Sequence, residues 1–379
     1  MTRGNLDVSE ASSWFQRLLL PGFAFKAVVI GGGYATGREL AEFFLPSGPR
    51  GGLLGILLAT AIWSAVCVAT FLFARATGSG DYRTFFRNLL GRVWPLFEIA
   101  YFLFVVLILS VFAAAAGAIG AALFGWPKLV GTLCLVGGIA LFATFGNDAV
   151  ERLFKYVTFF LYAVYAVFVA LALAHFGDRT LAALAKVTPM HGWALGGLTY
   201  AGYNVIGAVV ILPVVRHMTS GKDAVVAGLL AGPFAMLPAL AFFVCMVAYY
   251  PQIGGQTLPS DFLLERLNLP VFRMVFQAMI FVALLESGTG SAHAINERIA
   301  RVYRTAQDED LPRRARLAIT GGVLIVSVFA AGRFGLVALI AHGYRALAWV
   351  FLALYVLPLM TYGLWRLRRA GAAVSPRAA

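Results

Sequence analysis

Long apolar runs separated by short polar links dominate the pattern of this chain. A membrane-spanning helix needs about 20 predominantly apolar residues. Ten segments fit that length: 18–45, 52–76, 94–124, 128–145, 154–176, 191–215, 224–249, 271–299, 317–331 and 336–365. The pattern predicts an all-α integral membrane protein with ten transmembrane helices. A basic link with Arg75, Arg83, Arg87 and Arg92 follows the second segment, and Asn147, Asp148 and Glu151 follow the fourth. A polar link with Asp178, Arg179 and Lys186 precedes the sixth. The link 251–269 is long enough to fold, and Ser260-Asp261 ahead of Phe262-Leu263-Leu264 predicts a short capped helix. A strongly charged link, 301–316, joins the eighth and ninth.

The first segment breaks its own pattern. Gly31, Gly32 and Gly33 stand where a spanning helix carries bulky apolar residues, and Tyr34, Gly37, Arg38 and Glu39 follow. Glycine is a poor helix former and tolerates unwound backbone. Open backbone survives in lipid only where protein or a water-filled cavity satisfies it. A helix broken near mid-bilayer offers free carbonyls to cations and free N–H groups to anions, the substrate site of many secondary transporters. The alternative use of such glycines is close helix packing. Three in a row followed by paired charges favour the break.

Composition agrees with the membrane reading: 61% of the 379 residues are hydrophobic, 12% are charged, and the mean hydropathy is +0.84. The net charge of +13 calls for no nucleic acid, because cytoplasmic loops of membrane proteins are rich in Lys and Arg. With the N-terminus inside, Arg50, Lys128, Arg179, Lys186, Arg266, Arg273 and Arg333 fall outside. Lys26, Arg38 and Arg345 fall within spans, and the other twenty of the 30 lie inside. Both termini are therefore expected on the cytoplasmic side of the membrane. The residues 1–13 lack the pattern of a cleaved signal peptide. Cys67, Cys134 and Cys245 sit in apolar runs without metal-ligand spacing, and no metal site or other cofactor is expected.

Ten spans divide into two sets of five, 18–176 and 191–365, with 366–379 as a cytoplasmic tail. Five is odd, so two such sets lie inverted, and inverted repeats with matching broken helices mark transporters. The sixth segment should then be broken too. Gly196, Gly197, Gly202 and Gly207 crowd it, and Tyr200, Tyr203 and Asn204 interrupt its apolar run. The backbone of 199–204 is expected to be non-helical.

Ionisable groups inside spans are costly and are functional candidates. Glu286 opens the run Glu286-Ser-Gly-Thr-Gly-Ser-Ala-His-Ala-Ile-Asn-Glu-Arg298. The oxygens of Ser287, Thr289 and Ser291 suit a sodium or proton coupling site; they equally suit bonds to their own helix carbonyls. His293 shares a helix face with Glu286 and with Glu297. Arg38 and Glu39 are adjacent and so point apart, one toward a cavity and one toward a partner. Arg345 needs a carboxylate, with Glu39, Glu42 and Glu286 as candidates. Glu98 and Lys26 lie nearer the cytoplasmic face, where snorkelling or an inner gate pair suits them.

Gly31-Gly-Gly-Tyr-Ala-Thr-Gly-Arg-Glu39, Glu286-Ser-Gly-Thr and His293-Ala-Ile-Asn-Glu-Arg298 together resemble the YkvI-type bacterial membrane proteins. These are distant members of the amino acid–polyamine–organocation superfamily. The resemblance implies the LeuT-type fold: a five-plus-five inverted repeat with helices 1 and 6 broken at mid-membrane. It implies a substrate site at Gly31, Gly32, Gly33, Tyr34 and Gly37, beside Arg38, Tyr200, Tyr203 and Asn204. It implies ion coupling near Ser287 and Thr289. Glu286 beside those hydroxyls and Arg38 beside the break depart from sodium-coupled relatives, so the coupling ion is either a proton or sodium, with the proton slightly preferred; the resemblance also implies a bacterial inner membrane.

The leading expectation is an ion-coupled symporter of a small polar organic solute, amino-acid-like. The alternative is a sensor or structural membrane protein on the same fold, which leaves the breaks unexplained. A channel needs a continuous polar lining, and an intramembrane enzyme needs a nucleophile–base set that Glu286 and His293 do not supply.

Overall fold

A computed structural model of the chain describes residues 12–30, 36–145, 148–307 and 312–374. Among them all regular structure is helical, as it must be where lipid cannot satisfy backbone polar groups. A wide turn at Phe15–Leu19 leads into α1 (Leu20–Val29). The helix stops there, because Ile30 leaves helical geometry (φ −79°, ψ 75°). Gly31, Gly32, Gly33 and Tyr34 lie outside the described residues. The chain re-enters through Gly37 at φ 77°, a left-handed conformation that suits glycine, and begins α2 (Arg38–Phe43).

Next come α3 (Gly48–Thr77), the short α4 (Tyr82–Leu90), α5 (Pro95–Phe124), α6 (Lys128–Phe145) and α7 (Asp148–Ala185). The Asp81 carboxylate caps α4 by accepting from the backbone of Arg83 and Thr84. The sixth segment is α8 (Trp193–Asn204), α9 (Ile206–Val210) and a tight turn at Leu212–His217. A capping box between Ser220 and Asp223 starts α10 (Gly221–Val247). Then follow α11 (Pro259–Leu267), α12 (Pro270–Gln307) and α13 (Arg313–Ala338). Gly335 interrupts α13 with φ 73° and ψ 168°, and this is where the hydropathy pattern separates its ninth and tenth segments. Beyond it, wide π-type turns at Leu339–Tyr344, Leu352–Val356 and Leu359–Gly363 alternate with α14 (Arg345–Phe351) and lead to α15 (Leu364–Val374). Among the described residues, six helical stretches are long and apolar enough to cross a membrane.

Four local expectations are corrected. The backbone of 199–204 is helical. Thr199 and Asn204 spend their side chains on the carbonyls of Leu195 and Tyr200 in their own helix. The pattern changes one residue later: the Val205 N–H reaches Ala201 four back, and the Ala208 N–H reaches Val205 only three back. Second, the polar link after the fifth segment is helical as far as Ala185. Third, the charged link 301–316 is mostly helix, since α12 runs to Gln307 and α13 begins at Arg313. Fourth, α11 forms without a Ser or Asp side-chain cap. The Ser260 N–H instead donates to the Thr36 carbonyl, and Asp261 takes Arg273 and Gln277.

The helices pack in two groups. α1, α3, α8 and α10 pack on one another, and α5, α6, α12 and α13 form the second group. α7 bridges them through α10 and α12. Small residues set the close crossings. A Cβ on Gly197 would lie 2.6 Å from the Gly55 carbonyl oxygen, so α8 meets α3 backbone to backbone. Gly197→Val should therefore destabilise the fold by about 1–3 kcal/mol or more. Thermal unfolding in detergent checks this, with Gly137→Ala as control, because nothing lies within 4 Å of a Cβ there. Equal melting of the two variants would contradict the packing.

Candidate functional site

A cavity of about 230 Å³ lies between the two groups. α1 contributes Ala27, Val28 and Val29, α2 contributes Glu39, and the sixth segment contributes Tyr203, Asn204, Ile206 and Val210. From the other side come Tyr101, Phe104 and Phe112 of α5, and Ser287, Gly290, Ser291 and Ala294 of α12. Tyr344 completes the wall.

Glu39 is the one acidic side chain among the described lining residues. It is 6% exposed, and its Oε2 accepts a bond from the Tyr203 hydroxyl at 2.5 Å. Tyr203 is stacked on Tyr344, ring centroids 4.4 Å apart, and lies edge-on to Tyr200 at 5.7 Å. A buried carboxyl in an aromatic box can hold a proton or an organic cation. The helical turn at 201–205 fixes Tyr203 and Asn204 on the cavity side, which is what the continued helix of α8 does for the site.

Two polar clusters flank the cavity. Toward the link 251–269, Arg38 donates to the carbonyls of Gly254 (2.8 Å) and Gln256 (2.9 Å) and pairs with Glu42 at 2.8 Å. Arg345 approaches the same Glu42 at 3.6 Å. Toward the arginine-rich links, Arg298 continues the face of Gly290 and Ala294 one turn on. Its guanidinium lies between the rings of Tyr82 (3.7 Å) and Tyr101 (3.4 Å) and pairs with Glu98 at 3.3 Å. Glu98 also holds Arg83 at 3.4 Å. Tyr101 thus belongs both to the cavity wall and to this plug.

The structure brings together Glu39, Tyr203, Asn204 and Ser287 of the residues expected from sequence. Arg38 sits in the first of the two clusters, and Gly37 packs against Phe242 and Pro259 instead of lining the cavity. Tyr200 is fully buried behind Tyr203 among Phe44 and Trp63. The Thr289 hydroxyl donates to Leu285 and that of Ser291 to Ser287, both within α12. Glu286 is not among the lining residues and lies near Tyr162 of α7, whose ring carries the Lys26 ammonium at 4.0 Å. The expected charge network of Glu39, Arg345 and His293 is divided. Glu39 takes Tyr203, Arg345 takes Glu42, His293 is exposed, and Glu297 pairs with Arg316 at 2.8 Å. Tyr101, Phe104 and Tyr344 were not singled out from sequence. A tyrosine beside the flagged Arg345, and another three residues after Glu98, were the available signals. No group of three or more His, Cys, Asp or Glu side chains that could hold a metal occurs among the described residues.

Two helix groups around a cavity with a carboxyl and hydroxyls make a membrane-protein fold that is shared with solved membrane transporters. The manganese transporter of Eremococcus coleocola superposes with a TM-score of 0.55 at 17% identity, over 94% of this chain and 81% of that one. MhsT in complex with L-phenylalanine superposes at 0.56 and 16% identity, over 97% and 100%. No family model matches the sequence. In sequence, the chain is similar to the uncharacterized membrane protein YkvI of Bacillus subtilis. The two are 25% identical over 259 residues, 67% of this chain and 70% of that protein.

Proposed function

We propose that this protein is an ion-coupled secondary transporter of a small polar organic solute, amino-acid-like, working by alternating access. The observation that carries the reading is a cavity holding a buried carboxyl, flanked by two polar clusters that can act as its closures. Its volume of about 230 Å³ is below the usual range for drug-sized ligands and suits a small solute. One structural neighbour holds L-phenylalanine; another is a manganese transporter. Tyrosines, an amide and serine hydroxyls are donors and acceptors for an organic molecule.

Ten spans in an inverted repeat are supported by the packing. α1 packs on α10 as α8 packs on α3, and α5 packs on α13 as α12 packs on α6. Each pair maps onto its counterpart when the spans are advanced by five. A broken first helix is supported by the end of α1 at Val29 and the new start at Arg38. A lesser break in the sixth is supported by the change of hydrogen bonding at Val205. The arginine-rich links assign that side, and both termini, to the cytoplasm. In a cysteine-free background, a cysteine at exposed Gly255 should react with an impermeant thiol reagent on intact cells, and one at exposed Gly80 should not. The reverse pattern contradicts this orientation.

Protons are the favoured driver. Lys26 brings a cation into the cluster of Glu286 and Tyr162, which opposes sodium there by like charge. Glu39 is the proposed proton carrier at the cavity, with Glu286 as a second carboxyl. A thermal-shift screen against amino acids, amines and small carboxylates, with and without sodium, tests the reading. A ligand that binds only the folded state raises apparent stability, and Tyr203→Phe should weaken that shift. No stabilising ligand in any class, or one whose shift ignores the cavity variants, would contradict it.

A further inference from the structure

A second pocket lies far from the central cavity, at the arginine-rich edge. Arg87, Asn88, Leu89, Leu90 and Gly91 at the end of α4 line it, together with Tyr362, Trp365 and Arg366 at the start of α15. It encloses about 630 Å³ and is open to the surface.

α4 is amphipathic. Phe85, Phe86 and Leu89 are buried against Phe73, Phe97 and Tyr355, and Arg87 is on the exposed side. It joins the end of α3 to the start of α5, so it lies along the membrane edge instead of crossing it. The pocket carries two guanidinium groups and no carboxylate among its lining residues. The nearest acids in sequence are already engaged. Asp81 caps α4, and Glu98 holds Arg83 and Arg298. Arg87 is steadied over the Trp94 ring at 4.8 Å. Arg366 donates one N–H to the Asn88 carbonyl at 3.1 Å, and a guanidinium has five to give. Half-exposed Tyr362 and Trp365 form the rim with their rings 5.7 Å apart, as aromatics do at a membrane interface. Val93 and Leu96, just after α4 in the chain, are also exposed.

The geometry points to a binding site for the phosphate headgroup of an anionic phospholipid, clamped between Arg87 and Arg366 where α4 meets the last helix. Planar guanidinium forks match phosphate oxygens and form charge-assisted bonds. Interfacial aromatics and exposed aliphatic side chains supply the surface for the glycerol and acyl portion. Both helices would be tied to the inner leaflet at one point, and α4 leads directly into the plug formed by Tyr82 and Arg83.

The test uses the full-length protein in detergent, with retained lipid counted by native mass spectrometry. Phosphatidylglycerol, phosphatidylcholine and inorganic phosphate are the three probes. Phosphatidylglycerol should bind at about tenfold lower concentration than phosphatidylcholine, and Arg87→Gln should weaken it about tenfold, the size of one charge-assisted bond. Arg87→Lys should recover part of that loss. Arg87 is exposed and, among the described residues, makes no hydrogen bond that joins helices, so its variants read binding and not folding; Arg366→Gln should add to the loss. Equal retention of the two lipids, or unchanged binding in Arg87→Gln, would overturn the proposal. Competition by inorganic phosphate at the same concentration as the lipid would make this a free-anion site and overturn the lipid assignment.

Discussion

Glu39→Gln is expected to abolish uphill accumulation of the solute in proteoliposomes while leaving exchange of solute across the membrane. The amide keeps the shape of the carboxyl and still accepts from the Tyr203 hydroxyl, so the box of Tyr203 and Tyr344 stays formed. What is lost is a group that binds and releases a proton. A gradient of one pH unit supplies about 1.4 kcal/mol per proton, or about tenfold accumulation. The variant should therefore fall from about tenfold to none. Glu286→Gln separates the two carboxyls. Since Glu286 lies near Tyr162 and is not among the cavity-lining residues, its removal should reduce the rate and leave the accumulation ratio. If Glu286→Gln abolishes accumulation and Glu39→Gln does not, the carrier has been misassigned.

Arg298→Ala should open the cavity to the arginine-rich side. The guanidinium makes two ring contacts, to Tyr82 and Tyr101, and one ion pair with Glu98. Cation–π contacts contribute about 0.5–1 kcal/mol each at exposed sites and more when desolvated. Losing about 2 kcal/mol of closed-state stabilisation shifts the equilibrium about thirtyfold. A cysteine at Ala294, one turn from Arg298 on the cavity wall, should then react about thirtyfold faster with a thiol reagent in inside-out vesicles. Arg298→Lys should fall between, because an ammonium keeps charge but cannot lie flat between two rings. An unchanged labelling rate in Arg298→Ala would mean that the plug does not limit access.

The membrane class and most helix positions were legible because hydropathy over about 20 residues is a property of local sequence. Even the kink at Gly335 fell between two runs. The helix ends were less legible. Charged residues after 176 and 301 read as links, yet outside the lipid a helix can continue through Asp178 or Arg304 at no cost in desolvation. The sixth segment misled for a different reason. Gly196, Gly197 and Gly207 suit either unwinding or close packing, and the structure spends them on the backbone of Phe43, the backbone of Gly55 and the ring of Phe25. Only the neighbours decide between those uses. Candidate site residues followed the same division. That Arg38 and Glu39 point apart follows from helix geometry alone. That Tyr203 meets Glu39, or that Arg345 chooses Glu42 over two other carboxylates, depends on contacts between distant segments. The Arg298 plug required three such contacts at once.

The most direct test is reconstituted uptake of a ligand found by the thermal-shift screen, under a pH gradient or a sodium gradient applied separately. Uptake should follow the pH gradient, disappear in Glu39→Gln and persist in Thr289→Val, whose lost hydroxyl donates to Leu285 in its own helix. Uptake that follows sodium alone, survives Glu39→Gln and fails in Thr289→Val would contradict a proton-driven transporter centred on this cavity.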